Sequence, residues 1–220
     1  MKITTCPKPR QPRQPTMLFF AGDFPNILSL IGLLCAVLGI YYAILGYFYI
    51  AMIGVLWAVV FDWVDGIVAR RIKGRTDYHR AFGNQLDSLI DIVSFGVFPA
   101  VFLLSYGKFN PWFLPGAFLI VAAGVIRLSY FNIFGLINNK TYMGLALDNN
   151  IIILAFVFLF KGLFSHLAFS VIIYVLLMTF MVLNLSPIQT PKFSERWFYV
   201  LLFYSLVLTV AYSWMQYVGI

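Results

Sequence analysis

Four aspartates stand in two helically spaced pairs in the middle of an apolar chain. Asp62 and Asp65 are three residues apart, and Asp87 and Asp91 are four apart. On an α-helix each spacing puts both carboxylates on one face. If the two stretches form neighbouring antiparallel helices, four carboxylates converge on one point, where their charges repel. A divalent cation, or two, removes that conflict, and oxygen ligands suit Mg²⁺, Mn²⁺ or Ca²⁺. Cysteine and histidine are missing from these stretches, which argues against zinc.

The composition places the aspartates in a lipid setting. Of 220 residues, 62% are hydrophobic and 10% are charged, whereas a soluble domain is roughly 45–50% apolar and about 25% charged. This balance excludes a disordered chain, a disulfide scaffold and a cytosolic enzyme. The net charge of +7 comes from basic residues between apolar runs. That placement indicates loops facing an anionic membrane leaflet rather than a nucleic-acid partner.

Seven apolar stretches are long enough to cross a bilayer, which takes about 20 helical residues. They predict an all-α, polytopic helical membrane protein with about seven transmembrane helices, over 26–45, 47–64, 84–106, 111–135, 146–163, 166–186 and 196–219. Residues 1–25 are predicted to be a basic, disordered tail that ends in an interfacial segment over 17–25. Residues 26–220 then form one membrane domain.

The basic residues predict the orientation. Only Lys108 and Lys161 fall on one side of the predicted spans, and Arg127 lies inside a span. The other twelve fall on the opposite side: Lys2, Lys8, Arg10, Arg13, Arg70, Arg71, Lys73, Arg75, Arg80, Lys140, Lys192 and Arg196. Because basic loops stay inside, the N-terminus, the 71–81 loop and the aspartates are predicted at the cytoplasmic face of an integral membrane protein.

Residues around the aspartates indicate phosphoryl chemistry. Gly66, Ala69 and Gly83 allow a ligand to approach the backbone closely. Arg70 carries a guanidinium fork that matches phosphate oxygens. A cation or proton transporter is the alternative from another class, since transporters also use buried acids. The other spans lack deep acids, and the chain lacks inverted symmetry, which weighs against transport.

The same residues carry a family resemblance. The chain reads Asp62-x-x-Asp65-Gly66-x-x-Ala69-Arg70, then Gly83-x-x-x-Asp87-x-x-x-Asp91. It resembles the signature of the CDP-alcohol phosphatidyltransferases at all eight positions. The spacer over 71–82 is longer than is usual in that family, which leaves the role of this loop open.

The resemblance implies a reaction and its residues. A CDP-linked lipid such as CDP-diacylglycerol gives its phosphatidyl group to an alcohol, and CMP leaves. Asp62, Asp65, Asp87 and Asp91 are implied metal ligands for Mg²⁺ or Mn²⁺, with two ions, and Asp91 is also the implied general base. The implied substrate-binding residues are Gly66, Ala69, Arg70 and Gly83. A six-helix core with one added helix, membrane lipids as surroundings and a homodimer are implied as well.

The acceptor alcohol is indicated by a second resemblance. Residues 86–96 (LDSLIDIVSFG) and 127–132 (RLSYFN) are similar to the phosphatidylserine synthase subgroup, so serine is the expected acceptor. Inositol, glycerol phosphate, choline and an archaeal ether lipid stay open. Arg127 is expected to clamp the serine carboxylate or lipid phosphate, or to balance the aspartates. Asp148 is expected to pair with the serine ammonium group or to cap the fifth span.

Overall fold

The computed structural model describes residues 16–137, 141–191 and 194–219. The predicted tail over 1–15 and the basic residues Lys140 and Lys192 lie outside this part. The α-helices are α1 Met17–Ala21, α2 Phe24–Ile44, α3 Phe48–Arg71, α4 Asp77–Asp91, α5 Phe98–Tyr106, α6 Leu114–Phe134, α7 Leu147–Phe158, α8 His166–Leu185 and α9 Trp197–Val218. A π-helix spans Ile92–Val97, 3₁₀ helices span Pro111–Phe113 and Leu159–Leu163, and two short strands are β1 Thr141–Met143 and β2 Gln189–Pro191.

Six helical segments of the described residues are long and apolar enough to cross a membrane. They are Phe24–Ile44, Phe48–Arg71, Asp77–Tyr106, Pro111–Phe134, His166–Leu185 and Trp197–Val218. The prediction of a polytopic helical membrane protein is therefore confirmed.

The fifth predicted span departs from expectation. Residues 146–163 form α7, of 12 residues, and a 3₁₀ helix of 5 residues, which is short of a full-length α-helical span. The prediction of seven full-length spans is wrong at this stretch. Its two ends still lie far apart in the bundle. Asp148 bonds to Trp63, next to the acidic pairs, whereas Phe158 packs edge-on against Phe102 and Tyr106.

Small residues bring α2 and α3 close together. A Cβ on Gly54 would lie 2.8 Å from the Cys35 carbonyl oxygen and 3.0 Å from the Gly39 Cα. Helices in lipid gain no hydrophobic driving force for association, because the lipid tails are themselves apolar. They associate instead through close backbone contacts such as these. This packing sets Ser29 of α2 beside Asp65 of α3.

A π-helix follows directly after Asp91. The Phe98 N–H bonds to the Val93 carbonyl, five residues back, and Pro99 has no N–H to donate. The widened turn lies inside one continuous helical segment, Asp77–Tyr106. Such π-turns re-aim neighbouring side chains and are frequent at functional sites. Here the turn directly follows Asp91, the last residue of α4.

A two-stranded antiparallel sheet closes the same end of the bundle, an element that the all-α prediction did not include. Thr141 pairs with Pro191, and Tyr142 with Thr190. Gly144 follows at φ +73°, and a Cβ there would lie 2.2 Å from the Asn184 carbonyl oxygen. Only glycine fits this position, and Gly144 therefore allows the sheet to pack against the end of α8.

Candidate active site

A cavity of about 220 Å³ opens at the end of the bundle where α3 ends and α4 begins. Its lining contains six acidic side chains and two arginines: Asp62, Asp65, Asp87, Asp91, Asp148, Glu195, Arg70 and Arg127. The excess of negative charge favours a cation. The two arginines provide places for anionic groups beside it.

Three of the four carboxylates that were predicted to converge meet inside the cavity. Asp62, Asp87 and Asp91 each offer one oxygen, and these atoms lie within 4.8 Å of one another. The Oδ1 of Asp91 is buried and has no hydrogen-bond partner among the described residues. A buried acceptor costs free energy unless something binds it. The donor set and this unpaired oxygen both fit a hard divalent cation.

Asp65 stands apart from those three carboxylates. It lines the cavity, but it is 5% exposed and accepts a hydrogen bond from the Ser29 hydroxyl. The three-residue spacing from Asp62 therefore places it in the cavity and also against α2. Its role as a metal ligand stays a prediction.

Two of the predicted small substrate-binding residues lie away from the cavity lining. Gly66 lines it, whereas Ala69 and Gly83 do not. A Cβ on Gly83 would lie 3.0 Å from both Asn26 Oδ1 and Arg75 Nη2. In this structure Gly83 therefore gives room to protein side chains, and its contact with a nucleotide stays a prediction.

Arg70 reaches the cavity and forms an ion pair there. Its Nε lies 3.3 Å from Glu195 Oε1, and Arg71 Nη2 lies 2.7 Å from Glu195 Oε2. The hydrogen bond from Arg71 holds the pKa of Glu195 below its usual range. Glu195 thus ties the segment before α9 to the C-terminal arginines of α3.

Arg127 projects into the cavity from α6. It is 7% exposed, and its Nε has no hydrogen-bond partner among the described residues. Its guanidinium carbon lies 5.9 Å from the Tyr142 ring centroid. A buried donor that lacks a partner in the fold points to an anionic ligand.

Asp148 and Tyr142 complete this side of the cavity. Ala146 is the N-cap of α7, and Asp148 lies in the first turn of that helix, where its negative charge is favourable to the helix dipole. Its Oδ2 accepts a hydrogen bond of 2.9 Å from the Trp63 indole N–H. Burial, together with the charge of Asp148, raises the pKa of Tyr142 to about 12. The phenol therefore stays protonated and can donate a hydrogen bond.

Sequence reasoning missed Ser29, Trp63, Tyr142 and Glu195. No sequence spacing relative to the acids identifies these residues as part of the site. Ser29 and Tyr142, for example, belong to elements that are distant from the acids in sequence. Glu195 carried a weak signal, because it is the single acid of the 186–196 stretch. One cavity is lined by seven of the predicted residues: Asp62, Asp65, Gly66, Arg70, Asp87, Asp91 and Arg127.

Fold and site together define a helical membrane protein with a carboxylate centre suited to a divalent cation. Residues 23–185 match the CDP-alcohol phosphatidyltransferase family, and the chain belongs to that family. It is a membrane transferase of phospholipid biosynthesis. This assignment replaces the transporter alternative.

The chain is also similar in sequence to named relatives. The chain is 35% identical over 172 residues to archaetidylserine synthase of Methanothermobacter thermautotrophicus, covering 76% of this chain and 69% of that protein. It is 31% identical over 153 residues to CDP-diacylglycerol–serine O-phosphatidyltransferase of Methanocaldococcus jannaschii, covering 70% and 69%. The protein of that same name in Bacillus subtilis is 28% identical over 114 residues, covering 50% and 60%.

Proposed function

We propose that the protein transfers the phosphatidyl group of CDP-diacylglycerol to the hydroxyl of serine, giving phosphatidylserine and CMP. One observation carries the choice of serine. Buried Arg127, Asp148 and Tyr142 line the same cavity as the three carboxylates, and the Arg127 guanidinium carbon lies 5.9 Å from the Tyr142 ring centroid. A cation and an anion in one cavity, beyond the three carboxylates, suit an amino-acid zwitterion, whose carboxylate and ammonium groups need opposite partners. The names of the relatives point the same way.

Asp62, Asp87 and Asp91 are the residues that would hold a divalent metal, Mg²⁺ or Mn²⁺, with Asp65 beside them for a second ion. Bound there, the metal supplies positive charge that offsets the pyrophosphate oxygens and stabilises the departing CMP. The chain itself contributes Arg70, whose guanidinium suits a phosphate oxygen. Gly66 lies next to it and leaves the helix surface open, as the other small residues of the signature, Ala69 and Gly83, are proposed to do for the nucleotide.

Asp91 is the proposed base. The serine hydroxyl oxygen bonds to the lipid-bearing phosphorus while the bond from that phosphorus to the bridging oxygen breaks, and CMP leaves with the electron pair. The hydroxyl proton passes to the Asp91 carboxylate. Asp91 has a buried oxygen, Oδ1, with no hydrogen-bond partner among the described residues, which supports this role, since a base acts within hydrogen-bond reach.

The donor lipid has two forms to distinguish. One relative is named archaetidylserine synthase, so the ether-linked analogue of CDP-diacylglycerol is the second candidate donor. Inositol is uncharged, glycerol phosphate carries only negative charge and choline only positive charge, so none of them would use both Arg127 and Asp148. They enter the test as competing acceptors.

The decisive experiment uses purified protein with each donor, Mn²⁺ or Mg²⁺, and a panel of alcohols. We expect CMP release and a lipid product with serine only, lost in EDTA and restored by the metal. Equal release with inositol or glycerol phosphate would overturn serine as the acceptor. Activity in chelated, metal-depleted protein would overturn the metal site. Crosslinking of the same sample tests the proposed homodimer.

Topology provides an independent prediction, because the excess of basic residues on one side supports an active site at the cytoplasmic face. Tyr78, at the start of α4, is 78% exposed, and Trp112, before α6, is 85% exposed. After replacement of Cys6 and Cys35 by alanine, Tyr78→Cys should be labelled only from the cytoplasmic side. Trp112→Cys should be labelled only from the outside. The reverse pattern would invert the orientation and move the active site to the outer face.

A further inference from the structure

Helix α3 carries a side chain at the cavity that forms a hydrogen bond to another helix. Trp63 lies between Asp62 and Asp65 on α3, and its indole N–H donates to Asp148 Oδ2 on α7 at 2.9 Å. Trp63 and Asp148 both line the cavity. One turn of α3 therefore supplies a carboxylate to the proposed metal centre and a hydrogen bond to Asp148 of α7.

The chemistry of the donor matters here. An indole N–H donates one hydrogen bond and carries no charge. It can fix the direction of a carboxylate without neutralising it. An arginine at the same place would hold the carboxylate and also cancel the charge that attracts an ammonium group.

We propose that Trp63 is a positioning residue for the acceptor: its N–H orients the Asp148 carboxylate so that this group receives the ammonium of serine. The inference rests on the proposed function, since it assigns a determinant of that reaction's acceptor. Because Trp63 adjoins Asp62, the same bond fixes the distance between the acceptor's amino end and the acidic centre.

The test separates acceptor binding from donor binding. Trp63→Phe keeps an aromatic side chain, although a smaller one, and removes the N–H. A hydrogen bond to a charged group is worth about a tenfold change or more, so the KM for serine should rise by about 10-fold. The KM for CDP-diacylglycerol and kcat at saturating serine should stay within about twofold. The matched control is Trp57→Phe on the same helix, whose indole donates to Thr209 at 3.2 Å, away from the cavity. Its serine KM should not change.

A second variant keeps the test valid if Trp63→Phe folds poorly. Asp148→Asn can still accept from Trp63 but has lost the charge, and it should raise the serine KM alone. In the double variant, adding Trp63→Phe should cause little further loss, because the bond then orients a group that no longer attracts ammonium. Additive losses, or equal rises in both KM values, would overturn the proposal. Wild-type protein that releases no CMP with serine would instead refute the proposed function, and the inference with it.

Discussion

The two sides of the cavity are built differently. The acidic side, Asp62, Asp87 and Asp91, comes from two helices that follow each other in the chain. The acceptor side, Arg127, Tyr142 and Asp148, comes from α6, β1 and α7. The first uses helical spacing to bring together charges of one sign. The second combines single residues from separate elements and leaves Arg127 Nε without a partner among the residues that the structure describes. The acidic side is suited to the reaction shared by the family, and we propose that the acceptor side selects the alcohol.

The largest effect is expected on the acidic side. Asp87→Asn keeps the shape but removes a negative charge from the three converging carboxylates. Metal contributes several kcal/mol of charge stabilisation, so turnover should fall by about 10³-fold or more. Binding of CDP-diacylglycerol should be lost with it. Metal-dependent lipid binding and CMP release are the measurements. Normal metal affinity in this variant would remove Asp87 from the ligand set.

Asp91→Asn tests whether one member of the three acids has a separate duty. An amide cannot accept the serine proton, so chemistry should slow by about 10²–10⁴-fold. CDP-diacylglycerol binding should survive much better than in Asp87→Asn, measured side by side. If both variants lose metal equally, Asp91 is chiefly a ligand. If Asp91→Asn turns over normally, the base is another group.

Helical spacing explains why the acidic side could be predicted. Asp87 and Asp91 share a face wherever their helix packs, so their convergence with Asp62 needed only one assumption about neighbouring helices. Asp65 shows the limit, since its contact with Ser29 depends on the close α2–α3 packing at Gly39 and Gly54.

The acceptor side and part of the fold depended on contacts between distant residues. Tyr142 lies at the cavity on a strand that pairs with residues 189–191. No local sequence pattern predicts this pairing. The shortness of α7 was also hidden, because the apolar run over 146–163 continues through a 3₁₀ helix. Hydropathy measures the length of such a run and does not detect a change of helix type.

A smaller, acceptor-specific effect is expected at Arg127. Arg127→Met removes the anion partner, and losing a charged hydrogen bond should raise the serine KM by about 10–100-fold. Arg127→Lys should recover part of the loss, because it restores the charge but not the planar fork. The KM for CDP-diacylglycerol in each variant decides the assignment. An equal rise in that value would place Arg127 on the lipid phosphate instead of the serine carboxylate.

The smallest effect is expected at Ser29, where the acidic centre touches α2. Ser29→Ala removes the hydroxyl that donates a hydrogen bond to the buried Asp65 carboxylate. The unsatisfied carboxylate should lower the free energy of unfolding by about 1–3 kcal/mol. If Asp65 is a metal ligand, as its place in the signature predicts, the variant should bind Mn²⁺ with altered affinity, by less than about tenfold. At saturating metal its kcat should stay within about threefold of the parent.

The matched control is Ser105→Ala, which removes an equally buried hydroxyl that donates to the Ala43 carbonyl at the other end of the bundle. That variant should lower thermal stability without changing metal affinity. If both serine variants lose stability and neither changes Mn²⁺ affinity, Asp65 serves the packing of α2 against α3, and the metal centre consists of the three carboxylates that meet within 4.8 Å.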